Sequence, residues 1–512
     1  MSDNQSNNKR IAKNTILLYF RMLLLLVVNF YVTRILLQQL GVEDFGLNNV
    51  VAGFVAMLGF INSSMTNSIQ RFLNYQMGQG NAEGVKRYFE VSLTTQLILV
   101  GIMFFFFETI GLWFVNSKMV IPEGRKVAAN VVYQSACACA LIGLIRAPYN
   151  ALIVAKEKMD FYAYVSILEA VLRVFIIFAL SWFVVDKLSL YGILLMGITM
   201  VVFVCTIIYC KRINPNIGFR INYDKKIFKE VLSFSGWNLF GTLSGTVKSQ
   251  GINVIMNLFF GVAINAARGV AFQVLSGVQQ FVGNFQVAIN PQIVQSYSAN
   301  DRERYFKLTY LSSKISLYMM WILTLPILFC IDDVLAIWLG EENVPLLTDV
   351  FVIIILFTGL FDSLGSSLSV SLYATGNIKK YQIVVSSIKI LVLPISYLLY
   401  TIGFAPAASM YVSLILAGFE QLMRVKIWCN LVEESPFVYV KKIVGPALLI
   451  ILVSSFATYT VSKLFYFNNH YLSIISIIIV SLFFSLIMIA GFGLSSQERV
   501  SIVNLIKTKI HK

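Results

Sequence analysis

Three observations predict an all-α, polytopic membrane protein. Of the 512 residues, 58% are hydrophobic and only 13% charged, giving a mean hydropathy of +0.76. Apolar runs of 18 residues or more recur along the whole chain, each long enough to cross a bilayer. The two halves also echo one another at an offset of about 220 residues, as parallel internal repeats do. Barrel strands would instead read as short segments of alternating character, and the runs do not.

The elements follow in order. After a polar, basic start (residues 1–13), the first apolar run covers about 14–39. It is too long for a signal-peptide core and no small-residue cleavage site follows, so it reads as an uncleaved first span. Further spans lie near 45–69, 89–115, 127–150, 162–184, 189–210, 230–260, 264–289, 308–331, 348–374, 381–402, 405–429, 440–463 and 471–493, about fourteen transmembrane helices in all.

Alternate loops carry the basic residues: Lys9, Arg10 and Lys13; Arg71, Lys86 and Arg87; Lys156 and Lys158; the cluster from Lys211 to Lys229; Arg302, Arg304 and Lys307; Lys379 and Lys380; Lys441 and Lys442. The opposite side has only Lys118, Arg125, Lys126, Lys187 and Lys463, with an acidic loop of Asp332, Asp333, Glu341 and Glu342. The positive-inside rule then places both termini in the cytoplasm. It also absorbs the net charge of +15, so no nucleic-acid partner is implied.

The repeat organises the chain. Leu40-Gly41-Val42 matches Phe260-Gly261-Val262, Tyr88-Phe89 answers Tyr305-Phe306, and Ala155 before Lys158 answers Ala374 before Lys379. Glu169 falls opposite Lys389. The expected architecture is two six-helix lobes, 1–210 and 230–430, related by a parallel pseudo-two-fold repeat. A cytoplasmic linker, 211–229, joins them. An extra helix pair, 431–494, and a basic cytoplasmic tail, 495–512, complete the chain; the tail reads either as an interfacial helix or as a frayed end.

The six cysteines (Cys137, Cys139, Cys205, Cys210, Cys330 and Cys429) all fall inside apolar runs, which is neither a disulfide framework nor a metal site. His470 and His511 read as solvated residues. No phosphate-cradling Gly-Lys-Ser/Thr loop and no catalytic constellation occurs; neither a cofactor nor an enzyme activity is expected.

The stretch from Asn14 to Val51, with Thr33-Arg34, Leu40-Gly41, Glu43 and Phe45-Gly46, resembles the opening of polysaccharide transporters of the Wzx type. These are flippases of O-antigen and other lipid-linked oligosaccharides, in the superfamily that also holds multidrug exporters and peptidoglycan-precursor flippases (the MOP superfamily). The resemblance implies two lobes around a central cavity and alternating access by lobe rocking. It implies an undecaprenyl-pyrophosphate-linked oligosaccharide as cargo, moved to the outer leaflet of a bacterial inner membrane for O-antigen or capsule synthesis. A polysaccharide polymerase and a chain-length regulator are the protein partners it suggests, beside membrane lipid.

The residues themselves supply a mechanism. A cation at mid-span costs about 2.5–3.5 kcal/mol to insert, so it faces a partner or a wet cavity. Arg21, Arg173, Lys248 and Lys389 lie deep, and Arg146 joins them because Pro148 reads as a helix break beside it. Arg suits bidentate phosphate contact and Lys acts as a point charge, so these five are the expected cationic cavity for the pyrophosphate. For Arg173 the competing reading is an intrahelical pair with Glu169 four residues earlier; Lys389 would neutralise Glu169 through the repeat. Arg34, Arg268, Lys314 and Arg424 lie nearer span ends and read as snorkelling to the headgroups, with Glu420 pairing to Arg424. Asp362, among the small residues Gly359, Ser363 and Gly365, and Glu169 are the acids for coupling to H+ or Na+; for Asp362 a plain salt bridge to Lys248 or Lys389 is the equal alternative. Asn67, Asn238, Gln250, Asn253 and Gln280 are candidate glycan contacts or interhelical hydrogen bonds.

Two other functions are weighed. A cation-coupled multidrug exporter of the same fold needs acids to attract its cargo, whereas buried bases are in excess here. A membrane glycosyltransferase or polymerase needs a large outer loop, and the loops are short.

Overall fold

The computed structural model describes residues 2–56, 58–117, 119, 121, 124–182, 185–215, 217–218, 220–464, 470–495 and 498–499. The tail expected at 495–512, His511 included, falls almost wholly outside the described residues. Those residues form helices and connecting turns: α1 (Ser2–Ala56), α2 (Gly59–Gly78), α3 (Ala82–Phe106), α4 (Lys126–Ala155), α5 (Met159–Trp182), α6 (Lys187–Ile213) and α7 (Lys225–Ser298). Then come α8 (Arg302–Phe329), the short α9 (Ile331–Leu339), α10 (Thr348–Thr375), α11 (Lys379–Thr401), α12 (Ala408–Val432), α13 (Gly445–Leu464) and α14 (His470–Met488). Among the described residues, nine helices are long and apolar enough to cross a membrane by length and composition: α3 to α6, α8, α10, α11, α13 and α14. The all-α, multi-pass reading stands.

Two of the helices are bent pairs. α1 and α7 run through the ends of successive spans without a loop, each broken by one glycine, Gly41 (φ 77°, ψ 171°) and Gly261 (φ 77°, ψ −170°). That backbone region is essentially closed to residues with a Cβ. The two glycines are 220 residues apart, and other left-handed residues recur at the same interval: Gly80 with Asn300, and Glu157 with Gly376 one residue short of it. Asn81 caps α3 by accepting from Gly84 N at 2.9 Å, and Asp301 caps α8 by accepting from Arg304 N at 3.1 Å. The repeat read from residue identity is thus a repeat of backbone conformation. Gly261→Ala should lower stability by about 1–3 kcal/mol, measured as thermal unfolding in detergent. Gly269→Ala, at an ordinary helical glycine with open space around it, should cost nothing.

The chain divides into two compact units. The N-unit is Arg10–Thr242 with Tyr297–Asn300. Here α4 is the central helix, packed on α2, α3 and α6, with α5 against α6. Its apolar core has two parts, one around Val51, Tyr133 and Val202, the other around Ile69, Phe89 and Leu152. After Phe106 the third span makes one π-helical turn (Phe107–Gly111) before continuing to Ser117. The Tyr133 hydroxyl donates to the Phe107 carbonyl at 2.7 Å, beside the bond that carbonyl accepts from Leu112 N–H. A Cβ at Gly111 would collide with that hydroxyl. At the loops predicted to be extracytoplasmic, the Arg125 guanidinium binds Asp44 and, at 2.7 Å, Asp186. Partial burial raises the Asp186 carboxyl, but hydrogen bonds from Ser189 and the charge of Arg125 outweigh it and hold the group below its ordinary range.

The joining segment after α6 is bound to this unit. Ile217 is 1% exposed within the second core, and Lys156 Nζ donates to Ile213 O at 3.2 Å. Asn222 is held on α3 three ways: Thr94 Oγ1 donates to its carbonyl (3.0 Å), its N–H meets Thr94 Oγ1 (3.1 Å), and its amide donates to Glu90 (2.9 Å). The first arm of α7 continues the attachment. Tyr88 OH donates to Glu230 at 2.6 Å, Ser64 Oγ to Ser235 O at 3.2 Å, and Asn238 Nδ2 to Ser64 O at 2.9 Å. The unit ends at Thr242, inside the helix.

The C-unit comprises Leu243–Ser296 and the chain from Asp301 onward, with residues 1–9. α10 packs between α8 and α12, and α11 lies on α12. The final pair, α13 and α14, packs on α8. Trp321 Nε1 donates to Ser454 Oγ at 2.9 Å, Tyr318 OH to Gly493 O at 3.3 Å, and Lys314 meets Glu498 at 3.4 Å.

Candidate functional site: a charged cluster and a separate cavity

The deepest charges of the C-unit converge. Lys248, half-buried on the first arm of α7, faces Asp362 on α10 electrostatically, with Glu420, Lys389 and Arg268 around it. Asp362 in turn faces Lys248, Glu420, Lys389 and Arg424, yet its side chain is accessible. The cluster therefore sets four cations against two carboxylates.

Glu420 serves two of those cations. It is 3% exposed, bonded to Arg424 one turn along α12 and 3.6 Å from Lys389 Nζ. The Glu420–Arg424 pair is the one the spacing predicts. Lys389 pairs with Glu420 within its own unit, a partner that repeat positions did not indicate, because helix faces decide which charges meet. Gly365 makes this arrangement possible, since a Cβ there would collide with the Arg424 guanidinium. The guanidinium also donates to Gln421 Oε1 at 2.9 Å.

Snorkelling fails for three cations near span ends, while the side chain of Arg34 lies outside the described residues. Arg268 is 2% exposed and Arg424 5%, while Lys314 is nearly buried against Glu498. Arg268 reaches back across the Gly261 bend, donating to Ser249 O at 3.1 Å and to the Asn253 side chain, with its guanidinium 4.2 Å from the Phe272 ring centre. It braces the two arms of α7 and carries no carboxylate partner in the cluster. Sequence depth hid this, because the bend at Gly261 turns a residue near a span end inward. Asn253 is accordingly engaged by Arg268, and donates to Gln250 at 3.2 Å. Gln250 and Gln280 are exposed.

The N-unit candidates have different settings. Arg21 is half-buried with its guanidinium 4.7 Å from the Tyr162 ring centre. Arg146 is half-buried on α4; Pro148 does not break that helix, which continues to Ala155. Asn67 is exposed on α2. Asn238 is 2% exposed and occupied by Ser64 and Ser68, so it is an interhelical bond in this conformation. Arg173 and Glu169 form the intrahelical pair, at 2.7 Å.

Arg173 also lines a cavity of about 620 Å³ inside the N-unit, with Asn48, Asn62, Ser135, Cys139 and Thr199. Sequence reading did not single out Asn48, Ser135 or Thr199. The available signal was weak: isolated polar residues within apolar runs of α1, α4 and α6.

No protein-family model and no curated protein matches the sequence. Solved structures do match in fold. A crystal structure of a MATE point mutant aligns with TM-score 0.70 at 14% identity, covering 83% of this chain and 97% of that one. An outward-facing multidrug resistance MATE family transporter of the MOP superfamily gives 0.70, also at 14%, over 83% and 96%. A MOP superfamily transporter from Pyrococcus furiosus Vc1, whose description cites reverse polarity of its binding pocket, gives 0.68 at 14%, over 83% and 96%. At such identity the likeness carries architecture alone, and the architecture it establishes is the MATE fold of MOP superfamily transporters.

Proposed function

We propose that this protein is a flippase for an anionic lipid-linked oligosaccharide, the undecaprenyl-pyrophosphate-linked repeat unit of a surface polysaccharide. The observation that carries this reading is the positive excess of the C-unit cluster. Lys248, Arg268, Lys389 and Arg424 exceed Asp362 and Glu420 by two charges, which complements a dianionic pyrophosphate diester. Desolvating four cations near one another is costly unless an anion joins them. Flipping breaks no covalent bond; the protein's work is to lower the cost of carrying the headgroup across about 30 Å of hydrocarbon.

In this reading the chain sits in a bacterial inner membrane with both ends in the cytoplasm. The cargo moves outward by alternating access of two lobes, and the glycan passes on to a polymerase and its chain-length regulator. Asp362, accessible and facing Lys248, is the acid for H+ or Na+ coupling. Glu169 is less suited to that role, being already matched by Arg173.

The fold also supports the exporter reading, since two of the structures it resembles are MATE proteins and one is described as a multidrug resistance transporter. The third, described by the reverse polarity of its pocket, indicates that the fold leaves the sign of the cargo open. Here Glu420 and Glu169 are each bonded to a cation, leaving little negative potential for a cationic drug.

The test is leaflet exchange. The purified chain is reconstituted in phosphatidylethanolamine–phosphatidylglycerol vesicles carrying a fluorophore-tagged undecaprenyl-pyrophosphate disaccharide. Exchange well above protein-free vesicles is expected. Basal exchange together with efflux of a cationic dye would favour the exporter.

A further inference from the structure

We infer that the cavity inside the N-unit is a saccharide-binding pocket, separate from the charged cluster of the C-unit. This rests on the proposed glycolipid cargo and assigns its sugar portion a site. The volume, about 620 Å³, lies within the usual range for small-molecule sites of about 300–1,000 Å³.

Charge selects the ligand class. The only ionised lining residue among those described is Arg173, and Glu169 matches it at 2.7 Å. The pocket therefore offers N–H donors with little net field. A phosphate would lack a free countercharge, and a cationic drug would meet no unpaired acid. Asn48, Asn62, Ser135 and Thr199 add neutral donors and acceptors on different helices. Thr66 Oγ1 donates to the Asn62 main-chain carbonyl at 2.8 Å and to its Oδ1 at 3.5 Å, and neither bond uses the amide nitrogen. The remaining wall is apolar, with Val132 and Leu144 among its side chains. Neutral hydrogen-bonding groups beside an apolar wall suit a pyranoside, which has hydroxyls at its edge and C–H groups on its faces.

Glycines make the room. A Cβ at Gly143 would stand 3.4 Å from Asn62 Nδ2, and one at Gly192 would stand 3.3 Å from Ser135 Oγ and from the Val132 backbone. Larger residues at either place would push the polar groups aside or fill the space.

Cys139 is a reporter already in the wall. It is half-buried, and Thr199 donates to its sulfur at 3.4 Å. The experiment uses the full chain with the other five cysteines replaced by alanine, in membrane vesicles, and follows modification of Cys139 by a small maleimide. Glucose, galactose, N-acetylglucosamine and rhamnose are compared at equal concentration, with mannitol as the acyclic control. At least one sugar should slow modification roughly threefold, the effect of a concentration twice its dissociation constant, while its epimers or mannitol do not. Gly143→Leu and, as the milder change, Asn62→Ala should each remove the protection. Equal rates with every sugar, or equal protection by mannitol, overturn the pocket. Because this is an equilibrium readout, lost leaflet exchange with retained protection would fault the flippase reading alone. Retained exchange without protection would fault the pocket alone.

Discussion

The double variant Lys248→Gln, Asp362→Asn should fold and reach the membrane in normal amount but lose leaflet exchange by about 10- to 100-fold. Changing both residues is deliberate. Lys248→Gln alone would take from the accessible Asp362 carboxylate one of the cations facing it, changing the cluster's net charge as well as removing the ammonium group. Neutralising the two together keeps the cluster's excess at two positive charges, and Asp362→Asn alone, measured beside it, separates loss of the coupling acid from loss of the ammonium group. A charge-assisted hydrogen bond to cargo is worth about 1.5–3 kcal/mol, which converts to the stated range. Unchanged exchange would mean that Lys248 serves Asp362 and not the cargo. The detergent unfolding midpoint of the same preparation separates the two kinds of loss.

An all-or-none effect is expected at the first arm of α7. Ser68→Cys with Asn238→Cys, joined by oxidation or by a short thiol-reactive bridge, should stop exchange, and reduction should restore it. Asn238 Nδ2 lies 3.4 Å from Ser68 Oγ, so the replaced side chains fall within reach of such a bridge. The same interface holds Ser64 against Ser235, Tyr88 against Glu230 and Phe72 edge-on to Phe234 with 5.4 Å between ring centres. An alternating-access cycle requires some packed polar surface to part, and this one is built of a few hydrogen bonds, each worth about 0.5–1.5 kcal/mol. Undiminished exchange in the joined protein would show that α7 stays fastened to α2 throughout.

Apolar runs show depth well and direction poorly. The apolar spans and the match of Gly41 with Gly261 were legible, because bilayer thickness and forbidden backbone angles act on residue type directly. The partner of Glu420 within α12 was legible for the same reason: four residues make one turn. The pairing of Lys389 with Glu420 was missed, and Arg268 was read as reaching the headgroups, because each depends on which way a helix is turned about its own axis. Asn238 was read as a glycan contact or an interhelical hydrogen bond, and it is the second; an amide in an apolar span has the same signature in either place. Pro148 signalled a break that the helix does not make, and in membrane helices neighbouring groups commonly satisfy the carbonyl a proline frees. Of the cavity, Asn48, Ser135 and Thr199 went unread, since they are single polar residues on helices far apart in sequence.

The three-way hold on Asn222 and the buried Ile217 change what the stretch between the repeats is. A slack tether would absorb inserted residues at little cost, since loop entropy rises only slowly with length. This one is held in the second core at Ile217 and on α3 at Asn222, and enters a long helix at Lys225, so added length between those holds and the helix would shift the register of α7 itself. Epitope tags and engineered cleavage sites placed at 218–224 should therefore be read as mechanical perturbations and not as silent insertions.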